Sequence, residues 1–136
     1  MIGIVIITHG HFGEELLRTA QEIVGRQEHV QAFAVTSETS LDHVGKFVEE
    51  TLQAGDPADG MIYFVDMLGG TPCNSALIKT KDKLAEVVTG VNLYMLISAL
   101  NHRSRLPLHE LAAKAAEDGK RAIVLPKDLL AKKSGA

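Results

Sequence analysis

Three short stretches of this chain hold side chains that could do chemistry together: Thr8-His9-Gly10, the run Asp66-Met67-Leu68-Gly69-Gly70-Thr71-Pro72-Cys73-Asn74, and Gly90-Val91-Asn92. A neutral histidine with one ring nitrogen protonated carries a lone pair on the other and is a nucleophile. A carboxylate such as Asp66 can accept the bond from the protonated nitrogen and fix the tautomer. It can also stabilise the positive charge that grows on the ring during attack, as a triad carboxylate does. Gly69 and Gly70 let backbone approach a ligand closely, and amides at a helix N-terminus, helped by the Thr71 hydroxyl, attract an anion. Such a kit suffices for phosphoryl transfer through a phosphohistidine, which needs mostly positioning and charge stabilisation. Taken singly, each piece has a structural explanation: His9 a cap, Asp66 an Asx-turn residue, Gly69-Gly70 a turn, Thr71-Pro72 a helix start. Their joint occurrence on three turns is what points to a site.

What is missing narrows the chemistry. The chain has no G-x-x-x-x-G-K-[ST] and no G-x-G-x-x-G, which argues against ATP as direct donor. No arginine flanks His9, whereas a phosphatase working through phosphohistidine needs arginines to clamp the phosphate. A carrier must let the group go and needs no such grip.

The elements that must bring these turns together alternate in type. Residues 1–7 form a continuous apolar run, suited to a strand buried on both faces. Leu16, Leu17, Ala20, Ile23 and Val24 then follow helical spacing up to a closing Gly25. Residues 30–35 read as a second strand. Thr39-Ser40-Leu41-Asp42 has capping-box spacing for a helix with the stripe Leu41, Val44, Val48, Leu52, ended by Gly55. Residues 61–65 make a third strand, and a helix with Thr71 as N-cap runs to about residue 80. A fourth strand follows over 85–89, then helices over 93–100 and 108–118, the latter closed by Gly119. A last short strand over 122–125 stops at Pro126. Strands separated by helices require crossovers, so the expected fold is α/β: a three-layer, open, mostly parallel sheet with helices on both faces. The last strand is expected to be short and antiparallel, at an edge or paired with another subunit. Parallel sheets bind ligands outside the carboxyl ends of their strands, where all three chemical turns would then meet.

Length and charge set the remaining bounds. The 136 residues suit a single domain over 1–130 with a frayed tail over 131–136. The balance of 14 Lys+Arg against 17 Asp+Glu argues against nucleic acid, which calls for a basic face with interleaved aromatics. The one basic cluster, Asn101-His102-Arg103-Ser104-Arg105, reads as a solvated loop. A lone Cys73 excludes an internal disulfide and points to a reducing compartment. With no leader-like segment and no apolar run of membrane-spanning length, the expectation is a cytoplasmic chain.

With these residues in view, the chain resembles the enzyme IIA domain of the mannose family of the bacterial phosphoenolpyruvate:sugar phosphotransferase system (PTS). The resemblance rests on Thr8-His9-Gly10, on Val65-Asp66 with Gly69-Gly70-Thr71-Pro72 and Asn74, and on Gly90-Val91-Asn92, and it extends to about residue 125. It implies that His9 takes a phosphoryl group from the phosphocarrier HPr and passes it to an enzyme IIB domain. Asp66 would bind one ring nitrogen while Nε2 is phosphorylated, and Thr71 would contact the phosphate, beside the Gly69 and Gly70 amides already read as phosphate-binding. Thr8, Gly10, Asn74 and Asn92 would support the site. It further implies no cofactor, a homodimer that exchanges its last strand, and membrane contact only through permease subunits. Leu68 and Cys73 depart from the best-known sugar-transport members, which have an aromatic and a larger apolar residue there. Two other readings compete. One is a metal-dependent hydrolase using His9, His11 and Asp66, although His29 and His43 fall in segments read as exposed. The other is a non-catalytic module that binds an anion or a partner at the same edge.

Overall fold

The computed structural model describes residues 1–133. In chain order it contains β1 (Gly3–His9), α1 (Phe12–Val24), β2 (Val30–Val35), α2 (Leu41–Ala54), β3 (Met61–Val65), α3 (Thr71–Thr80), β4 (Ala85–Val88), α4 (Leu93–His102), α5 (Leu108–Arg121) and α6 (Pro126–Lys133). Among the described residues the sheet has four strands in the order β2-β1-β3-β4, every neighbouring pair parallel. The expected three-layer α/β architecture is therefore present.

Side chains alternate between the two faces of β1 and β3. Ile4, Ile6, Ile62 and Phe64 form one core with α1, α4 and α5, through Ala20, Leu96, Ala99, Leu111 and Ala115. Val5, Ile7, Tyr63 and Val65 form the other with α2 and α3, through Val44, Val48, Cys73 and Ala76. Ile4, Val5, Ile6 and Ile7 are all completely buried, and each such side chain contributes roughly 1.5–3 kcal/mol. The strand that ends in His9 is thus firmly seated in the middle of the sheet, as is β3.

Several sequence expectations need correction. Within the single chain residues 122–125 form no strand: Ala122 N–H bonds back to Asp118 O and Ile123 N–H to Lys120 O, so the backbone leaves α5 through a turn. Among the described residues they pair with no strand. Ile123 is 83% and Leu125 71% exposed, in an apolar run on the surface. Pro126 then starts α6, so residues 131–133 of the expected frayed tail are helical, while 134–136 lie outside the described residues. Gly119 does not close α5 but sits inside it, buried, because a Cβ there would meet Met95 Cε at 2.8 Å and Asn92 Nδ2 at 3.1 Å. Thr71 is the first residue of α3, with Gly70 as its N-cap. The N-cap of α2 is Ser40, which accepts from His43 N–H, and not Thr39. Arg103 is buried: its Nη1 donates to Ile2 O and His29 O, and its Nη2 to Glu28 O and Gln27 Oε1. A guanidinium with that many acceptors is a brace at the amino end of β1 and β2, not a solvated loop residue.

Candidate functional site

His9 is the last residue of β1, and Asp66 is the first beyond β3. These two strands are neighbours, and the chain leaves them toward opposite edges of the sheet. The pair therefore stands at the topological switch point, where such sheets present a crevice. Gly10, at φ +61°, turns the chain out of β1, and its N–H is tied to Val35 O at 2.8 Å. Thr8 is fully buried, and its Oγ1 accepts from Gly13 N–H at 2.8 Å, which fastens the start of α1 to the strand.

Asp66 holds His9 in two ways. Its Oδ2 accepts the His9 backbone N–H at 2.8 Å and faces His9 Nδ1 at 2.8 Å, while Oδ1 accepts Met67 N–H at 3.0 Å. An ionised carboxylate can only accept, so Nδ1 must be the protonated nitrogen, and Nε2 carries the lone pair when the ring is neutral. Burial by itself would raise the Asp66 carboxyl, but hydrogen bonds from the His9 backbone and ring, together with the charge on that ring, hold it below its ordinary value of 3.8. The carboxylate side chain is 16% exposed and the His9 side chain 50% exposed. The arrangement is an anchored base with an accessible ring.

Nε2 points across Gly70. A Cβ built on Gly70 would lie 2.8 Å from His9 Cε1 and 3.5 Å from Nε2, so any larger residue would intrude on the ring. Gly69 adopts φ +83°, a left-handed turn that delivers the backbone to the start of α3. Among the described residues, the backbone amides of Gly69 and Thr71 make no hydrogen bond within the chain, and neither does the Thr71 hydroxyl, while Gly70 closes the turn over residues 68–69. Asn74 secures this loop, with Nδ2 donating to Gly69 O at 3.1 Å and its N–H to Gly70 O at 2.9 Å. Unengaged donors at a helix N-terminus beside a half-exposed histidine nitrogen suit an anion held near that nitrogen. Thr71 also lines a groove of about 920 Å³ between α2 and α3.

The third turn lies behind the dyad. Gly90 N–H donates to Asp66 O at 3.2 Å and Val91 N–H to Val65 O at 3.1 Å. Asn92 does not face His9: it caps α4 through Met95 N–H at 3.0 Å and donates to Gly119 O at 3.3 Å. His11, although two residues from His9, is exposed and pairs with Glu14 at 3.2 Å. Among the described residues no three His, Cys, Asp or Glu side chains are grouped to hold a metal ion. Nor is any helix there long and apolar enough to cross a membrane. Sequence reasoning missed the bond from the His9 backbone to Asp66. It spans 57 positions, and no local pattern announces it.

The chain is similar to known proteins. The model of the family described as PTS system fructose IIA component (EIIA-man) matches residues 3–116. The PTS system mannose-specific EIIAB component of Escherichia coli K12 is 36% identical over 124 residues, covering 90% of this chain and 38% of that protein. The chain thus spans less than half the length of that relative. The PTS system fructose-specific EIIA component of Bacillus subtilis is 27% identical over 82% of this chain and 77% of its own length. Among solved structures, EIIA from Streptococcus agalactiae superposes with a TM-score of 0.87 at 27% identity, covering 94% of this chain and 99% of that one. The mannose/sorbose-specific IIA subunit of Enterococcus faecalis gives a TM-score of 0.82 at 28% identity, over 91% of this chain and 93% of that one. With the family model matched across both β1 and the α3 loop, the chain belongs to the mannose-type enzyme IIA family of the PTS.

Proposed function

We propose that this chain is a phosphotransferase that accepts a phosphoryl group on His9 Nε2 from phospho-HPr and passes it to an enzyme IIB domain during sugar uptake. The reading is carried by one observation: Asp66 Oδ2 lies 2.8 Å from Nδ1, which leaves Nε2 as the nucleophilic atom over the glycine start of α3. In the forward step the Nε2 lone pair attacks phosphorus, the N–P bond of the donor breaks, and its electron pair returns to the donor imidazole. The His9 Nδ1 proton stays in the bond to Asp66, whose charge balances the phosphorylated ring. The Gly69, Gly70 and Thr71 amides, with the Thr71 hydroxyl, receive the phosphate oxygens. Thr8, Gly10 and Asn74 keep strand end and loop in place. Transfer to IIB is the same step reversed onto a new acceptor.

The test is incubation with phosphoenolpyruvate, enzyme I and HPr. Acid-labile, base-stable phosphate should appear on the wild type and be absent from H9A. No label under conditions that charge a known IIA would overturn the proposal. A metal hydrolase is disfavoured by the outward His11–Glu14 pairing. A purely anion-binding module offers no use for the Asp66 clamp.

Two finer readings belong here. The chain forms a homodimer in which residues 122–125 pair with the partner, supported by their exposed apolar side chains and by the open edge of β4. It works in the cytoplasm as one domain over residues 1–130 and meets the membrane only through permease subunits. Sedimentation of the wild type against I123K tests the dimer, which should become monomeric in the variant.

A further inference from the structure

The Gly90-Val91-Asn92 turn makes no hydrogen bond to His9 or to the α3 loop, yet it grips the backbone at the point from which Asp66 projects. Gly90 N–H and Val91 N–H bond to the carbonyls of Asp66 and Val65. The next residue is fixed at both ends of its side chain: Asn92 Oδ1 accepts Met95 N–H at the start of α4, and Nδ2 donates to Gly119 O within α5. Gly119 has no side chain because Asn92 and Met95 occupy that space. The bonds form one unbroken path: α5 carbonyl, Asn92 amide, turn backbone, Asp66 carbonyl, Asp66 carboxylate, His9 ring.

We infer that Asn92 is a positioning residue for phosphoryl transfer, acting through Asp66 by anchoring the turn to α4 and α5. The inference rests on the phosphohistidine reading and extends it to a residue remote from the reacting atoms. A cap alone would not require asparagine, since serine or aspartate accepts the N3 amide equally well. The amide donor toward Gly119 is what asparagine adds. Without it the turn keeps its helix cap but loses its tie to α5. The Asp66 backbone then has a mobile neighbour, and the 2.8 Å approach of Oδ2 to Nδ1 is held less tightly.

The experiment compares N92S and N92D with the wild type in single-turnover transfer from phospho-HPr, with thermal melting alongside. Both variants keep the capping oxygen, so melting temperatures should stay within a few degrees. The transfer rate constant should fall about tenfold, with the concentration of phospho-HPr for half-maximal rate unchanged, a loss of transition-state and not of docking interactions. The same substitutions are then made in D66A. If Asn92 acts through Asp66, they should slow D66A no further. Wild-type rates in both single variants overturn the inference. So does an equal slowdown in the D66A background, because Asn92 would then act independently of Asp66. If the wild type itself takes no label, the phosphohistidine reading has failed instead, so the two failures are distinguishable.

Discussion

Replacing Asp66 separates geometry from charge, because its two oxygens have unequal loads. Oδ2 accepts two bonds from His9 and Oδ1 accepts one from Met67. In D66A all three are lost. In D66N the amide has one oxygen and one NH2, and the oxygen placed at the Oδ2 position satisfies two donors and leaves one N–H facing the NH2. The opposite flip satisfies one and opposes two. The two-to-one count keeps the oxygen toward His9, so D66N preserves ring orientation and the Nδ1–H tautomer and removes only the negative charge. A charged hydrogen bond contributes roughly 1.5–3 kcal/mol. The His9 side chain is 50% exposed, so water screens part of this. We therefore take about 2 kcal/mol for the whole interaction, a rate loss of ~30-fold in D66A at 1.36 kcal/mol per decade. D66N should lose less, on the order of 10-fold. Rapid-quench transfer from phospho-HPr, read as acid-labile label, measures both. Rates for D66N equal to or below those of D66A would refute the argument that its oxygen remains on His9. Wild-type rates in both would remove Asp66 from the mechanism.

Other outcomes follow from the same geometry. G70A should retain the fold, since Gly70 has φ −78°, but abolish labelling, since its Cβ would lie 2.8 Å from His9 Cε1; a folded, fully active G70A contradicts the placement of Nε2. G69A meets no neighbour but must hold φ +83°, so it should cost about 1 kcal/mol of stability in urea unfolding and leave the His9 ring free. The folded-state pKa of Asp66 lies below its ordinary value of 3.8, so its stabilisation is complete above that pH and is lost as pH falls through the folded value. The stability gap between wild type and D66N should therefore be larger at pH 6 than at pH 2.5, and a constant gap would contradict it. R103M removes the guanidinium bonds to the carbonyls of Ile2 and Glu28 and to Gln27 Oε1, and leaves His29 O with the Ile4 N–H alone, at a cost of about 2–4 kcal/mol. Transfer should persist, because this brace lies at the sheet's opposite end; an inactive but stable R103M would refute that separation.

The sheet and the dyad were legible in the sequence for a shared reason. Strands such as Ile4–Ile7 are apolar on both faces, which only a sheet covered by helices on both sides accommodates. Crossovers then force His9 and Asp66 to the same edge. What could not be read were features decided by neighbours distant in sequence. Gly119 resembles a helix terminator, but its missing side chain makes room for Asn92 and Met95. Arg103 sits in a basic surface-like string, yet the carbonyls of Ile2, Glu28 and His29 draw it inward. Residues 122–125 have strand composition, but β-branched character selects a strand only when an adjacent edge supplies the ladder. At Thr71, a cap signal one residue away, in Gly70, took precedence.

The bond between His9 and Asp66 joins positions 57 apart, on strands separated in sequence by α1, β2 and α2. No early, locally ordered fragment of the chain can assemble it, since closing so long a loop comes late among folding events. A ribosome-bound or partly unfolded copy therefore presents an ordinary surface histidine with either tautomer available. The dyad exists only once β1 and β3 are paired. On the proposed function, a molecule with an unfinished sheet would therefore be a poor phosphoryl acceptor, because the Asp66 contact that sets the His9 tautomer is missing.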